Sequence, residues 1–175
     1  MTSTLTSLIC VAITIVLPFA PQSQPNNKTC SAPYYGMGNG DGVLDRRCFH
    51  LQSQLSKAAY YGDVKKIKTL LRQGANADSY AGDRFPPLFS AASKGKTAAA
   101  RILLDNGANI DRKYTLNGSA LYAAIYGNHV ETVELLLSRG ADVNLRNGDD
   151  TPLKIARANR YEGIVVLLKK AGGKE

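Results

Sequence analysis

The chain has 175 residues, 44% of them apolar and 21% charged, which is room for one ordinary domain and a tail. Its 22 Lys and Arg against 14 Asp and Glu leave a net charge of +8, which favours acidic partners without choosing among protein, nucleic acid and anionic lipid. Two histidines, His50 and His129, offer little to an enzyme, and no Ser-His-Asp pattern with supporting motif context accompanies them.

Residues 5–19 form a charge-free apolar run, shorter than the roughly 20 residues that a membrane span needs. Small residues and prolines follow, so 1–20 reads as a secretory signal peptide cleaved after Ala20 or a few residues later. A retained anchor is the alternative, because no Lys or Arg precedes the run. The chain is then expected in the bacterial periplasm or secreted. In a eukaryotic secretory route, Asn27-Lys28-Thr29 and Asn117-Gly118-Ser119 would be glycosylation sequons.

Removal of the leader takes Cys10 with it and leaves Cys30 and Cys48. An even pair in an exported chain reads as a disulfide, which contributes roughly 3 kcal/mol through loop closure. The alternatives are two free thiols or a partial metal site, for which only His50 lies nearby. Residues 21–52 are a loop-rich extension, with Gly36, Gly38, Gly40 and Gly42 at alternate positions. The Asn39-Gly40-Asp41-Gly42 stretch imitates a calcium loop, but Met37 and Cys48 would fall on its first and last ligand positions. No metal and no cofactor are expected. The Cys30–Cys48 bridge would pin this extension over the apolar end of whatever follows.

From residue 53 onward the chain repeats itself. Gly74-Ala75-Asn76, Gly107-Ala108-Asn109 and Gly140-Ala141-Asp142 stand 33 residues apart, each after an apolar run ending in Leu-Leu and two further residues. A period of 33 marks a stacked helical solenoid. Repeat one, about 53–85, places Leu55, Ala58 and Ala59 on an inner helix and Val64, Ile67, Leu70 and Leu71 on an outer one. Repeat two, about 86–118, has Leu88, Ala91, Ala92, then Ile102, Leu103 and Leu104; its Gly95-Lys96-Thr97 is a turn, since a phosphate loop would need Gly where Ser90 stands. Repeat three, about 119–150, has Leu121, Ala124, Val130, Val133, Leu135, Leu136 and Leu137. Repeat four, about 151–175, has Leu153, Ala156, Ile164, Val165, Leu167 and Leu168, and its late lysines suit a terminal cap. Small alanines let neighbouring repeats approach, and apolar residues three and four apart fill the seam. The Gly after each outer helix stops it in a left-handed conformation.

With Thr151-Pro152-Leu153 opening the last repeat, residues 53–175 resemble the ankyrin-repeat family. The resemblance implies an all-α solenoid of four helix-turn-helix repeats, with hairpin-like fingers at 76–84 and 109–117 set at right angles to the helices. The family's inner-helix His is replaced by Ser56, Phe89, Tyr122 and Lys154, so the inter-repeat bonds it makes must be lost or replaced. His129 matches the family's turn His and is expected to be structural.

The family binds proteins through finger tips and exposed inner-helix positions, and is not expected to be enzymatic. Carried over by position, the tip candidates are Tyr80, Asp83, Arg84, Arg112, Lys113, Tyr114, Arg146 and Asp149. The inner-helix candidates are Lys57, Tyr60, Tyr61, Lys94 and Tyr126, although Tyr60 and Tyr126 could instead pack between repeats. Tyr and Arg combine large contact area with a polar handle.

Charge alternates in sign along the stack: residues 119–150 carry two basic and five acidic groups, and 151–175 carry six and two. Such a pattern orients a polar protein better than it tracks nucleic acid. The expected function is a monomeric, exported module that inhibits or guards one protein. Exported bacterial members of this size look like immunity partners of secreted toxins or accessories to periplasmic enzymes. The alternative is a basic envelope protein that binds anionic polymers or lipid head groups, with affinity that collapses in salt.

Overall fold

In a computed structural model, the structure describes Cys30 and residues 46–78, 85–114 and 118–175. Residues 1–20, expected to be a signal peptide, most of the extension and parts of two fingers lie outside the described residues. Among the described residues, eight helices follow one another in pairs: α1 (Arg46–Tyr61), α2 (Val64–Arg72), α3 (Pro87–Ser93), α4 (Thr97–Asp105), α5 (Ala120–Tyr126), α6 (Val130–Ser138), α7 (Pro152–Ala158) and α8 (Glu162–Lys170). Odd-numbered helices pack against each other in sequence to make an inner layer, and even-numbered helices make the outer one. The expected all-α solenoid of four helix-turn-helix units is what forms.

The reason lies in the spacing. Leu55, Leu88, Leu121 and Leu153 recur at one place on the inner helices, and all four are buried. Ala58, Ala91, Ala124 and Ala156 are buried beside them, where a larger side chain would push neighbouring repeats apart. Leu70, Leu103, Leu136 and Leu168 close the seam from the outer layer. Each buried Leu contributes about 1.5–3 kcal/mol by leaving water.

Each outer helix ends in the same way. Gly74, Gly107, Gly140 and Gly172 hold φ between +86° and +95°. In the first repeat, Gly74 donates its N–H to Leu71 and Ala75 donates to Leu70, which satisfies carbonyls that the helix end would orphan. The same pair of bonds recurs at Gly107 and Ala108, Gly140 and Ala141, and Gly172 and Gly173. The turn between inner and outer helices is also left-handed, at Gly62, Gly95, Asn128 and Arg160. Only the first two of these have a residue without Cβ.

The first repeat departs from the period. α1 begins at Arg46, so residues 46–52, within the stretch taken as loop-rich, are helical. Cys30 and Cys48 are bonded, with Cα atoms 5.5 Å apart. Cys30 is buried, and its N–H donates to Gly74 O at 3.0 Å. The extension is thereby tied to both helices of repeat one.

Hairpin-like closure is seen in the third finger, where Asn147 and Asp150 exchange both backbone hydrogen bonds around Gly148-Asp149. In the second, Tyr114 N–H donates to Gly118 O at 2.8 Å. The described residues contain no longer strand.

Candidate functional site

Two rows of side chains compete for the role of binding surface, and the structure separates them. Part of the finger row holds the repeats together. Asp78, four residues after Gly74, accepts the Asn109 N–H of the next repeat at 2.9 Å. Asp111 accepts from Asp142 N–H at 3.0 Å, and Asn144 accepts from Lys174 N–H at 2.7 Å. An Asp or Asn at one register thus staples every successive pair of repeats. Asn76, Asn109 and Asp142 orient these acceptors by receiving the N–H of the residue two places on.

Arg112 joins this seam. Its guanidinium grips both carboxylate oxygens of Asp78 across the repeat boundary, with Nε 2.9 Å from Oδ1. Tyr114 lies half-buried against Phe85, ring centroids 4.8 Å apart, and against Phe89 at 6.0 Å. Tyr114 has a small core to join, because Phe89 stands where the repeat's His would be. Lys113, Arg146 and Asp149 are exposed. Tyr80, Asp83 and Arg84 lie outside the described residues.

The four residues at the His position follow separate routes. Tyr122 is fully buried, and its hydroxyl lies 2.9 Å from Leu145 O and 2.6 Å from Asp150 O, so it ties α5 to the third finger. Burial pushes that hydroxyl up to about 12, a rise partly offset by hydrogen bonding with the Asn147 backbone. Lys154 reaches Asp150 at 2.7 Å. Phe89 stacks on Phe85 at 4.8 Å. The buried Ser56 Oγ has no hydrogen-bond partner among the described residues. Replacement is therefore complete at Tyr122 and absent at Ser56.

His129 is structural, as its position implied. Its Nε2 lies 3.2 Å from Ser93 O, in the preceding repeat, and its ring covers Gly95. A Cβ on Gly95 would stand 2.6 Å from Nδ1, so this glycine makes room for the imidazole as well as turning the chain. Gly95-Lys96-Thr97 is accordingly the turn into α4.

The inner-helix row looks different. Tyr60, Tyr61 and Tyr126 are 41%, 65% and 52% exposed, so packing between repeats, the other reading of Tyr60 and Tyr126, does not hold. All three lie in the last turn of an inner helix, and Lys94 is the C-cap of the helix between. The 33-residue period puts Tyr60 and Tyr126 in one register and Tyr61 and Lys94 in the next. Tyr60 and Tyr61 meet edge to face with centroids 5.2 Å apart. Lys94 Nζ sits 4.9 Å from the centroid of the Tyr60 ring, which links the first two repeats. Lys57, one turn before Tyr60 and Tyr61, is exposed. Tyr126 leans on the anchored Tyr122 at 6.5 Å. The result is an aromatic and cationic ridge on rigid helix ends.

A family model described as ankyrin repeats (3 copies) matches residues 55–147 and 115–174. The chain belongs to the ankyrin-repeat family. Its repeats make it a protein–protein interaction module, and members of this family are typically non-enzymatic binders. No curated protein matches the sequence. Among the described residues, no helix is long and apolar enough to cross a membrane, and no three His, Cys, Asp or Glu side chains are grouped to hold a metal ion.

Proposed function

We propose that this ankyrin-repeat protein is an exported, monomeric module that binds one protein in the periplasm or outside the cell and inhibits or guards it. An immunity protein to a toxin, or an accessory to a periplasmic enzyme, are the roles this reading favours. The observation that carries the binding half is the ridge of Tyr60, Tyr61, Lys94 and Tyr126. Three large aromatic side chains stand out from the ends of inner helices that pack against the neighbouring repeats, α1 on α3 and α5 on both α3 and α7. Solvent-exposed tyrosines on a rigid frame lose little entropy on contact and supply most of the area of a hot spot. The export half rests on the apolar run at 5–19 and on the Cys30–Cys48 pair, whose bond suits an oxidising compartment.

The test is a pull-down from an envelope fraction, run with the wild-type chain beside a Tyr60→Ser, Tyr61→Ser, Tyr126→Ser variant. One protein held stoichiometrically in moderate salt by the wild type and released by the variant is the expected outcome. Retention of salt-sensitive anionic material by both would instead favour a basic envelope binder.

A further inference from the structure

Among the described residues, the inner layer carries no acidic side chain. Helices α1, α3, α5 and α7, together with the C-cap residues Lys94 and Asn159, hold Arg46, Arg47, Lys57, Lys94, Lys154 and Arg157, and neither Asp nor Glu. Carboxylates of the described residues sit on the outer helices, in the turn at Asp63, in the segments after the outer helices, and at Glu175. Charge is therefore segregated by layer, and the alternation along the stack belongs to the outer helices and fingers.

Within the inner layer the positive charge is further concentrated. In repeat four, Lys154 is paired with Asp150 and Arg157 with Glu175. In repeats one and two, Lys57, Lys94 and Lys96 have no acidic partner among the described residues, and all are exposed. The Lys96 side chain runs back over Gly62, beside Tyr61, while Lys94 covers the Tyr60 ring. Among the described residues, the nearby carboxylate of Asp63 is turned to the Lys66 N–H as the N-cap of α2, at 2.9 Å. Three cations with no acidic partner among the described residues thus accompany an exposed Tyr60–Tyr61 pair.

Resting on the binding reading above, we infer that the partner presents an acidic segment to repeats one and two. Its carboxylates meet Lys57, Lys94 and Lys96, and its backbone or apolar side chains lie on the Tyr60 and Tyr61 rings. Charge complementarity of this kind speeds encounter and sets register, and the aromatic pair supplies contact area.

A random 12-residue peptide display library selected on the full chain tests this directly. The selected peptides are expected to be rich in Asp and Glu, and to bind a Lys57→Glu, Lys94→Glu variant at least tenfold more weakly. Unchanged binding to a Lys65→Glu, Lys66→Glu variant, altered on the outer helix, would localise the effect. Neutral or basic peptides, or acidic ones indifferent to the inner-layer change, would overturn the inference and leave the binding reading standing. A library that yields no binder would count against the binding reading itself. Phosphatidylglycerol vesicles bound with the same dependence on Lys57 and Lys94 would also overturn the inference, marking the ridge as a lipid-surface contact.

Discussion

The finger row and the inner-helix ridge are built from similar residues, yet they do different work. Arg112 and Tyr114 are large, polar-tipped side chains, as Tyr60 and Tyr61 are. Arg112 is clamped to Asp78 across a repeat boundary, and Tyr114 is packed on Phe85 and Phe89. Tyr60 and Tyr61 touch each other and Lys94 and otherwise face water. Residue type therefore does not mark a binding side chain in a repeat protein. What separates them is whether the neighbouring repeat clamps or buries the side chain. Asp78, Arg112 and Tyr114 act as a seam, whereas Tyr60 and Tyr61 stay exposed on the inner-helix end, with Lys94 lying over one ring.

The comparison can be broken most sharply at Tyr122. Replacing it with Ala would empty a fully buried site and remove the tie to Leu145 and Asp150, at a cost of roughly 3–5 kcal/mol. Chemical denaturation would show it as a lower midpoint. The same residue predicts an alkaline effect. Its hydroxyl stays neutral in the fold up to about 12, whereas an unfolded Tyr ionises near 10, so the unfolded chain releases the proton first. The stability it confers is full below about pH 10 and is lost as pH rises toward 12. A Tyr122→Phe chain should lack this part of the decline.

A smaller loss is expected at Asp78. Ala there removes the acceptor for Asn109 and Arg112, and should cost about 1–2 kcal/mol, discounted because the ion pair is partly exposed. Thermal unfolding would register it, with a matching loss for Asp111→Ala limited to its single staple. By contrast, Tyr61→Ser should leave stability within about 0.5 kcal/mol, since it removes exposed surface only. A drop as large as that of Asp78→Ala would place Tyr61 in the seam and erase the distinction.

The smallest expected change is a gain. Arg160 holds φ +58° at the turn where the first two repeats use Gly62 and Gly95. Arg160→Gly should relieve about 1 kcal/mol of left-handed strain, offset in part by the freer unfolded chain. The net rise in melting temperature should be slight.

Most of the scaffold was legible in the sequence because the seam is made by residue size and by Gly placement, and both recur every 33 residues. Leu103 and Ala91 are buried for reasons that a periodic pattern states directly. The early start of α1 was hidden, because Arg46 to Gln52 has no counterpart in later repeats against which to measure it. The staples at Asp78, Asp111 and Asn144 were missed although their signal was present: an Asp or Asn stands four residues after each of Gly74, Gly107 and Gly140. The pairing of Arg112 was not legible, since nothing local shows that Asp78, a repeat away, stands opposite it. Tyr60 and Tyr126 were undecided between seam and surface, because a Tyr serves either role and only the fold shows which side it faces.

The most direct test of that division uses the protein recovered by the pull-down. Its affinity would be measured for a ridge variant, Tyr60→Ser with Tyr61→Ser and Tyr126→Ser, and for a finger variant, Lys113→Ser with Arg146→Ser and Asp149→Ser. A loss on the order of a hundredfold for the ridge variant, with the finger variant within about threefold of wild type, is the predicted result. The reverse order, with both variants folded, would make the finger tips the binding surface and contradict the account.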